Sequence, residues 1–163
     1  MRVMGIDPGT AITGWGVVEG DGNQLTMVAY GTVTTPAGTP LPQRLQTIYR
    51  ELTEIIQKWQ PETAAIEELF FSKNAKTALA VGHGRGAAML ALANAGLSIV
   101  EYKPLEIKQA ITGHGGADKQ QMQQMVKLLL ELDDIPRPDD AADGLAVAIC
   151  HLHSARLRLL ENQ

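Results

Sequence analysis

The stretch Arg2-Val3-Met4-Gly5-Ile6-Asp7-Pro8-Gly9-Thr10 sets a short apolar run against one carboxylate and a turn. Such a run, closed by a Pro-Gly break, reads as a buried strand ending at Asp7. Trp15 to Glu19 reads as a second strand. The turn residues Gly20-Asp21-Gly22-Asn23 then return the chain into a third strand from Leu25 to about Thr34, so residues 2–34 form an antiparallel meander. Beyond a Pro/Gly/Thr loop at 35–40, Leu41, Leu45, Ile48, Leu52, Ile55, Ile56 and Trp59 recur at helical spacing until Gln60-Pro61 ends the pattern. Thr63 to Glu67 suits a strand, the alanine-rich stretch 75–95 a helix, and Leu97 to Tyr102 another strand. Helices follow at about 104–112, 118–132 and 139–160. A meander followed by strand-helix-strand alternation predicts an α/β fold: a five-stranded mixed sheet, antiparallel meander plus parallel strands, flanked by helices. With 163 residues and 45% hydrophobic content, residues 1–163 are read as one domain with a sizeable core. A two-lobed enzyme does not fit that length.

No apolar run approaches the roughly twenty residues of a membrane span, and a charge at Arg2 precedes any signal-like segment. The expectation is a soluble, cytoplasmic protein without membrane association. The single cysteine, Cys150, lies in an apolar run and reads as a buried structural thiol. The net charge of −4 argues at first against nucleic-acid binding. The charge is segregated, however. Residues 73–127 carry seven Lys or Arg against three acids, whereas residues 1–72 carry four against eight and residues 128–163 three against seven. A basic middle segment flanked by acidic ends is compatible with a phosphate-contacting surface beside a carboxylate site.

Two strands end in acids, Asp7 and Glu67. A charge closing an apolar strand is expensive unless it faces solvent or a site, so the two could meet if their strands are neighbours. A third contribution is Asp139-Asp140-Ala141-Ala142-Asp143, opening the last helix after Arg137-Pro138. Positions three and four apart lie roughly 60° and 40° around a helix axis, so Asp143 shares a face with either predecessor. Spacing does not choose between Asp139 and Asp140. An aspartate just before a helix commonly caps it, and that is the expected role of Asp139. Like charges gathered together raise one another's pKa until one protonates or a cation neutralises them. Oxygen-only ligands with room for waters and phosphate oxygens describe Mg²⁺ or Mn²⁺ better than zinc. Two such ions, about 3.5–4 Å apart, can activate a water and stabilise the leaving 3′ oxygen of a phosphodiester.

Taken together, Gly5-Ile6-Asp7-Pro8-Gly9, Ala65-Ile66-Glu67-Glu68-Leu69-Phe70-Phe71 with Asn74, and Asp140-Ala141-Ala142-Asp143-Gly144-Leu145-Ala146 resemble the RuvC family of Holliday-junction resolvases over nearly the whole chain. The resemblance implies a ribonuclease-H-like fold and a divalent-metal nuclease whose catalytic and metal-binding acids are Asp7, Glu67, Asp140 and Asp143, with two ions per site. It selects Asp140 over Asp139 and Glu67 over Glu68. It further implies that Phe70, with Phe71 beside it, stacks on a base at the opened junction centre, a contact of roughly 1–3 kcal/mol per base. Lys108 and Lys119 fall where the family contacts DNA. Implied partners are four-way junction DNA, a second copy of the chain in a homodimer, and the RuvA-RuvB branch-migration complex, in recombination and repair.

The loop Thr112-Gly113-His114-Gly115-Gly116-Ala117 leads into a helix N-terminus able to receive a phosphate. Gly82, Gly84 and Gly86 each weaken the 75–95 helix by about 1 kcal/mol relative to alanine, which close packing against another helix would offset. The family resemblance puts that helix at the subunit interface; the rival reading is a phosphate-binding Gly-His-Gly-Arg-Gly loop with Arg85 facing DNA. His151 and His153 read as a polar helix face. Two alternatives to junction cleavage are a ribonuclease-H-like nuclease acting on other nucleic acids, separable by a junction-against-hybrid assay, and a non-catalytic junction-binding scaffold, which the four matched acids oppose. The Asp-Pro-Gly-Thr turn is shared with two-lobed sugar-kinase and actin-like ATPases, for which the chain is too short.

Overall fold

A computed structural model describes residues 1–21, 23–68 and 74–161, apart from the side chain at 159. The meander consists of β1 (Arg2–Asp7), β2 (Ile12–Gly20) and β3 (Leu25–Thr34), followed by α1 (Leu41–Trp59), β4 (Thr63–Glu67), α2 (Ala75–Asn94), β5 (Ser98–Tyr102), α3 (Pro104–Thr112), α4 (Lys119–Leu129) and α5 (Asp139–Glu161). The sheet runs β3-β2-β1-β4-β5. β1 pairs antiparallel with β2 and parallel with β4, and β4 pairs parallel with β5. The expected five-stranded mixed sheet is therefore present.

β2 begins three residues before the expected Trp15. Ile12 and Thr13 already pair with Thr34 and Val33, and the buried Thr13 hydroxyl donates to Gly9 O at 2.6 Å, which keeps a polar residue inside the strand satisfied. Asp21 Oδ1 accepts from the backbone N–H of Asn23 and Gln24 at 2.8 and 3.0 Å, holding the β2–β3 turn with a local side-chain bond.

The strand period of two sorts the sheet into two cores. Met4, Ile6, Ala64 and Ile66 pack with Ile48, Leu52 and Ile56 of α1 and Ala88, Ala91 and Leu92 of α2. Val3, Val18 and Ala65 pack on the opposite side with Ile107 and Ile111 of α3, Val126 of α4 and Leu145 to Leu152 of α5. The molecule is a helix-sheet-helix sandwich. By the same alternation Asp7 and Glu67 belong to the α5 side. Among the described residues, no helix is long and apolar enough to cross a membrane.

Candidate active site

The parallel register of β1 and β4 aligns Val3 with Thr63 and ends with Ile6 beside Ile66. One residue further, Asp7 and Glu67 leave neighbouring strand ends on the same face, within side-chain hydrogen-bonding reach of each other. Two carboxyls that are distant in sequence meet because their strands are adjacent and in phase.

The third and fourth acids arrive through close helix-on-sheet packing. Gly14 is the residue opposite Asp7 across the β1–β2 ladder. A Cβ at Gly14 would stand 1.7 Å from the carbonyl oxygen of Asp140, and a Cβ at Gly144 would stand 2.6 Å from the Cα and carbonyl carbon of Trp15. The first turn of α5 therefore lies directly on the β2 backbone, next to Asp7, with no side chain between. Asp140 and Asp143, three positions apart, turn one face to that spot. Carboxylate oxygens of Asp7, Asp140 and Asp143 all lie within 4.8 Å of one another.

Burial raises the pKa of Asp7 to about 8, with the Glu67 charge adding to the rise and Asp140 behind it. Burial, then the charge of Asp7, lifts Asp143 to about 7. Glu67 is also raised, by burial first, although a hydrogen bond accepted from Asp7 works the other way. The upward shifts follow one order of hydrogen bonding, Asp143 toward Asp7 and Asp7 toward Glu67, so the protonated form of each donor is favoured. An all-oxygen donor set in this state fits a hard divalent cation, whose charge would take the place of those protons. The acidic cluster could bind a metal ion.

The family model described as "Crossover junction endodeoxyribonuclease RuvC" matches residues 3–151. The chain belongs to the RuvC family. The crossover junction endodeoxyribonuclease RuvC of Chloroflexus aggregans is 61% identical over 155 residues, covering 95% of this chain and 94% of that protein. The Alkaliphilus oremlandii RuvC is 56% identical over 154 residues, 94% of each. Among solved structures, Thermus thermophilus RuvC in complex with a Holliday junction substrate superposes with a TM-score of 0.92 at 36% identity, covering 97% of this chain and 96% of that one. The yeast mitochondrial Holliday junction resolvase shares the fold, with a TM-score of 0.68 at 14% identity over 98% of this chain and 83% of that one.

Beside Glu67 and Asp143 the structure opens a cavity of about 270 Å³, lined also by Lys108, Lys119, Pro104, Ile107 and Met122 among others. Lys108 projects from α3 and Lys119 from the first residue of α4. Burial at the rim tends to depress the Lys119 ammonium, but Asp143, Asp139 and Asp140 together outweigh it and the net shift is upward. Phe70 and Phe71 lie outside the described residues.

Several expectations are corrected. Asp139 is the first residue of α5 rather than its cap, and its carboxylate stands 3.4 Å from Lys119 Nζ. The N-terminus of α4 carries a capping box that engages two of its amides: Asp118 Oδ1 accepts from Gln121 N at 2.8 Å, and Gln121 Oε1 accepts from Asp118 N at 2.9 Å. Gly84 packs on a turn, not a helix, since a Cβ there would lie 2.8 Å from the carbonyl of Gly9. Arg85 turns into its own chain, ion-pairing with Glu101, instead of facing DNA or a partner. His151 is buried, its Nδ1 3.0 Å from the Tyr102 hydroxyl, so it is no surface residue. Cys150 is buried as expected, and burial pushes its thiol up to about 12. Missed altogether was Gly14, whose only signal was a glycine inside a strand.

Proposed function

We propose that this chain is a structure-selective endonuclease that resolves four-way DNA junctions by metal-dependent nicking of two strands of like polarity. The observation that carries the reading is the convergence of Asp7, Asp140 and Asp143, beside Glu67, from three separate parts of a RuvC-family fold. Its support for a junction substrate is the close likeness to a RuvC structure bound to a Holliday junction.

Asp7, Glu67, Asp140 and Asp143 are the proposed catalytic and metal-binding residues, and Mg²⁺, with Mn²⁺ as substitute and two ions per site, the proposed cofactor. When bound, such ions activate the attacking water and stabilise the leaving 3′ oxygen of an in-line displacement. The protein supplies the rest. Asp7, Glu67, Asp140 and Asp143 would hold the cation as deprotonated carboxylates, on elements that pack closely against one another. Lys108 and Lys119, which line the same cavity as Glu67 and Asp143, are suited to draw in the scissile phosphate. Phe70 and Phe71 are proposed to stack on unpaired bases near the junction centre.

Two like nicks call for two sites, and a homodimer supplies them. The apolar groove of about 520 Å³ between α1 and α2, lined by Pro42, Leu45, Tyr49, Ala87 and Leu90, is the candidate face. Action alongside the RuvA-RuvB complex, in the cytoplasm, follows from the family reading. The deciding experiment is Asp7→Asn in a junction-nicking assay with Mg²⁺. The variant should bind the junction as the native chain does and fail to nick it. Equal cleavage by both proteins would overturn the assignment, and cleavage of RNA-DNA hybrids in preference to junctions would favour a ribonuclease-H-type role.

A further inference from the structure

We propose that Arg85 is a positioning residue that sets the direction of Glu67, and so tunes the metal affinity of the acidic cluster without touching metal or DNA; this rests on the metal-nuclease reading above. Glu67 is the last residue of β4 and pairs with Tyr102 at the end of the β4–β5 ladder, where strand pairing on its own holds a peptide less firmly than in mid-strand. Two bonds reinforce it there. Arg85 Nε donates to Glu67 O at 3.3 Å, and Glu68 N donates to Tyr102 O at 2.8 Å. The peptide joining Glu67 to Glu68 is therefore held at both its carbonyl and its amide.

The guanidinium is itself fixed. It ion-pairs with Glu101 of β5, the residue in register with Ile66, and its Nη1 lies 3.2 Å from Met89 Sδ one turn along α2. Only 15% of the Arg85 side chain is exposed. A planar fork of donors can serve a carbonyl and a carboxylate at once, whereas a lysine offers one compact charge on a flexible stem. Arg85 thus ties the ends of β4 and β5 to α2 behind the carboxylate, an outer contact of the kind that orients a metal ligand. The Gly-His-Gly-Arg-Gly motif places this arginine one residue after Gly84, whose close approach to the Gly9 carbonyl seats α2 against the turn that follows Asp7.

The test compares Arg85→Gln, Arg85→Lys and Glu101→Gln with the native protein. Mn²⁺ binding is measured by electron paramagnetic resonance without DNA, junction affinity by mobility shift in EDTA, and nicking as a function of Mg²⁺. Arg85→Gln should weaken Mn²⁺ binding roughly ten-fold and raise the Mg²⁺ needed for half-maximal nicking by a similar factor. Junction affinity should stay within about two-fold, and Arg85→Lys should recover part of the loss. Glu101→Gln, at a position whose side chain is 42% exposed, should shift Mn²⁺ binding in the same direction and carries the test if Arg85→Gln does not fold. Unchanged Mn²⁺ affinity in the folded variants would overturn the proposal, as would a loss of junction affinity parallel to the loss of rate, which would make Arg85 a DNA contact. Failure of the native protein to nick junctions would sink the functional reading instead, while the Mn²⁺ comparison would still decide the role of Arg85.

Discussion

Asp7→Asn should make the metal-free protein more stable at high pH while leaving it nearly unchanged at low pH. Asp7 rises from an ordinary 3.8 to about 8, first through burial and then through Glu67. Its carboxyl therefore holds more proton folded than unfolded between those values, and stability falls as pH rises through that window. The penalty is absent below the unfolded value and complete above the folded one. At about 1.4 kcal/mol per pH unit, the window sets a ceiling of about 6 kcal/mol. Glu67 and Asp143 share the same protons, so removing one ionisable group lets the neighbours take up part of the strain, and a net effect of about 2–4 kcal/mol is expected. For a chain of this length that is roughly 5–15 °C in melting temperature. The assay is thermal unfolding of both proteins in EDTA at about pH 5 and about pH 9. The variant's advantage should be small at the lower pH, which lies just inside the window, and several-fold larger at the higher pH; millimolar Mg²⁺ should erase it by stabilising the native form through binding. A constant offset between the two proteins across that range, or an advantage confined to low pH, would refute the electrostatic account of the cluster.

Three further outcomes follow from the same geometry. Gly14→Ala forces a Cβ to 1.7 Å from the Asp140 carbonyl, so α5 must retreat at a cost of about 3 kcal/mol or more; nicking should fall further than junction binding, and an unchanged melting temperature would contradict the close packing. Lys119→Ala should lower the dependence of junction affinity on log salt by about one if the ammonium meets a phosphate, whereas an unchanged slope would confine Lys119 to its pair with Asp139. Leu90, 54% exposed on the α1–α2 groove, should on conversion to Asp give monomers by analytical ultracentrifugation, and a persistent dimer would move the interface elsewhere.

The fold was largely legible because its signals are local. Apolar runs bounded by Gly and Pro marked the strands, and helical spacing from Leu41 to Trp59 marked α1. Strand ends carrying Asp7 and Glu67 suggested a meeting point that the parallel register supplies. The choice between Asp139 and Asp140 was not local. A three- or four-residue spacing fits both, and motif resemblance made the selection; the structure brings Asp140 to Asp7 and Asp143 while Asp139 turns to Lys119. What distinguishes them is the backbone of β2, eight elements earlier in the chain than α5, and no periodicity reports such a contact. The same holds for Arg85 and His151, whose partners Glu101 and Tyr102 lie in β5.

Gly14 and Gly84 share one physical role that explains why this site resists reading from composition. Each removes a side chain where a helix must touch the sheet end that carries Asp7: Gly14 admits the start of α5, and Gly84 admits α2 against the Gly9 turn. Gathering like charges is unfavourable, so the acids have no tendency to assemble by themselves. Assembly is enforced by apolar packing on both sheet faces, and the glycines set how closely that packing brings the carboxylates. The electrostatic cost is seen in the raised pKa values of Asp7, Glu67 and Asp143, and a bound cation would relieve it. Bulkier residues at positions 14 and 84 would leave the acidic motif intact in the sequence while pushing α5 and α2 off the sheet end that carries Asp7, so the cluster depends on these glycines as well as on the carboxylates they seat.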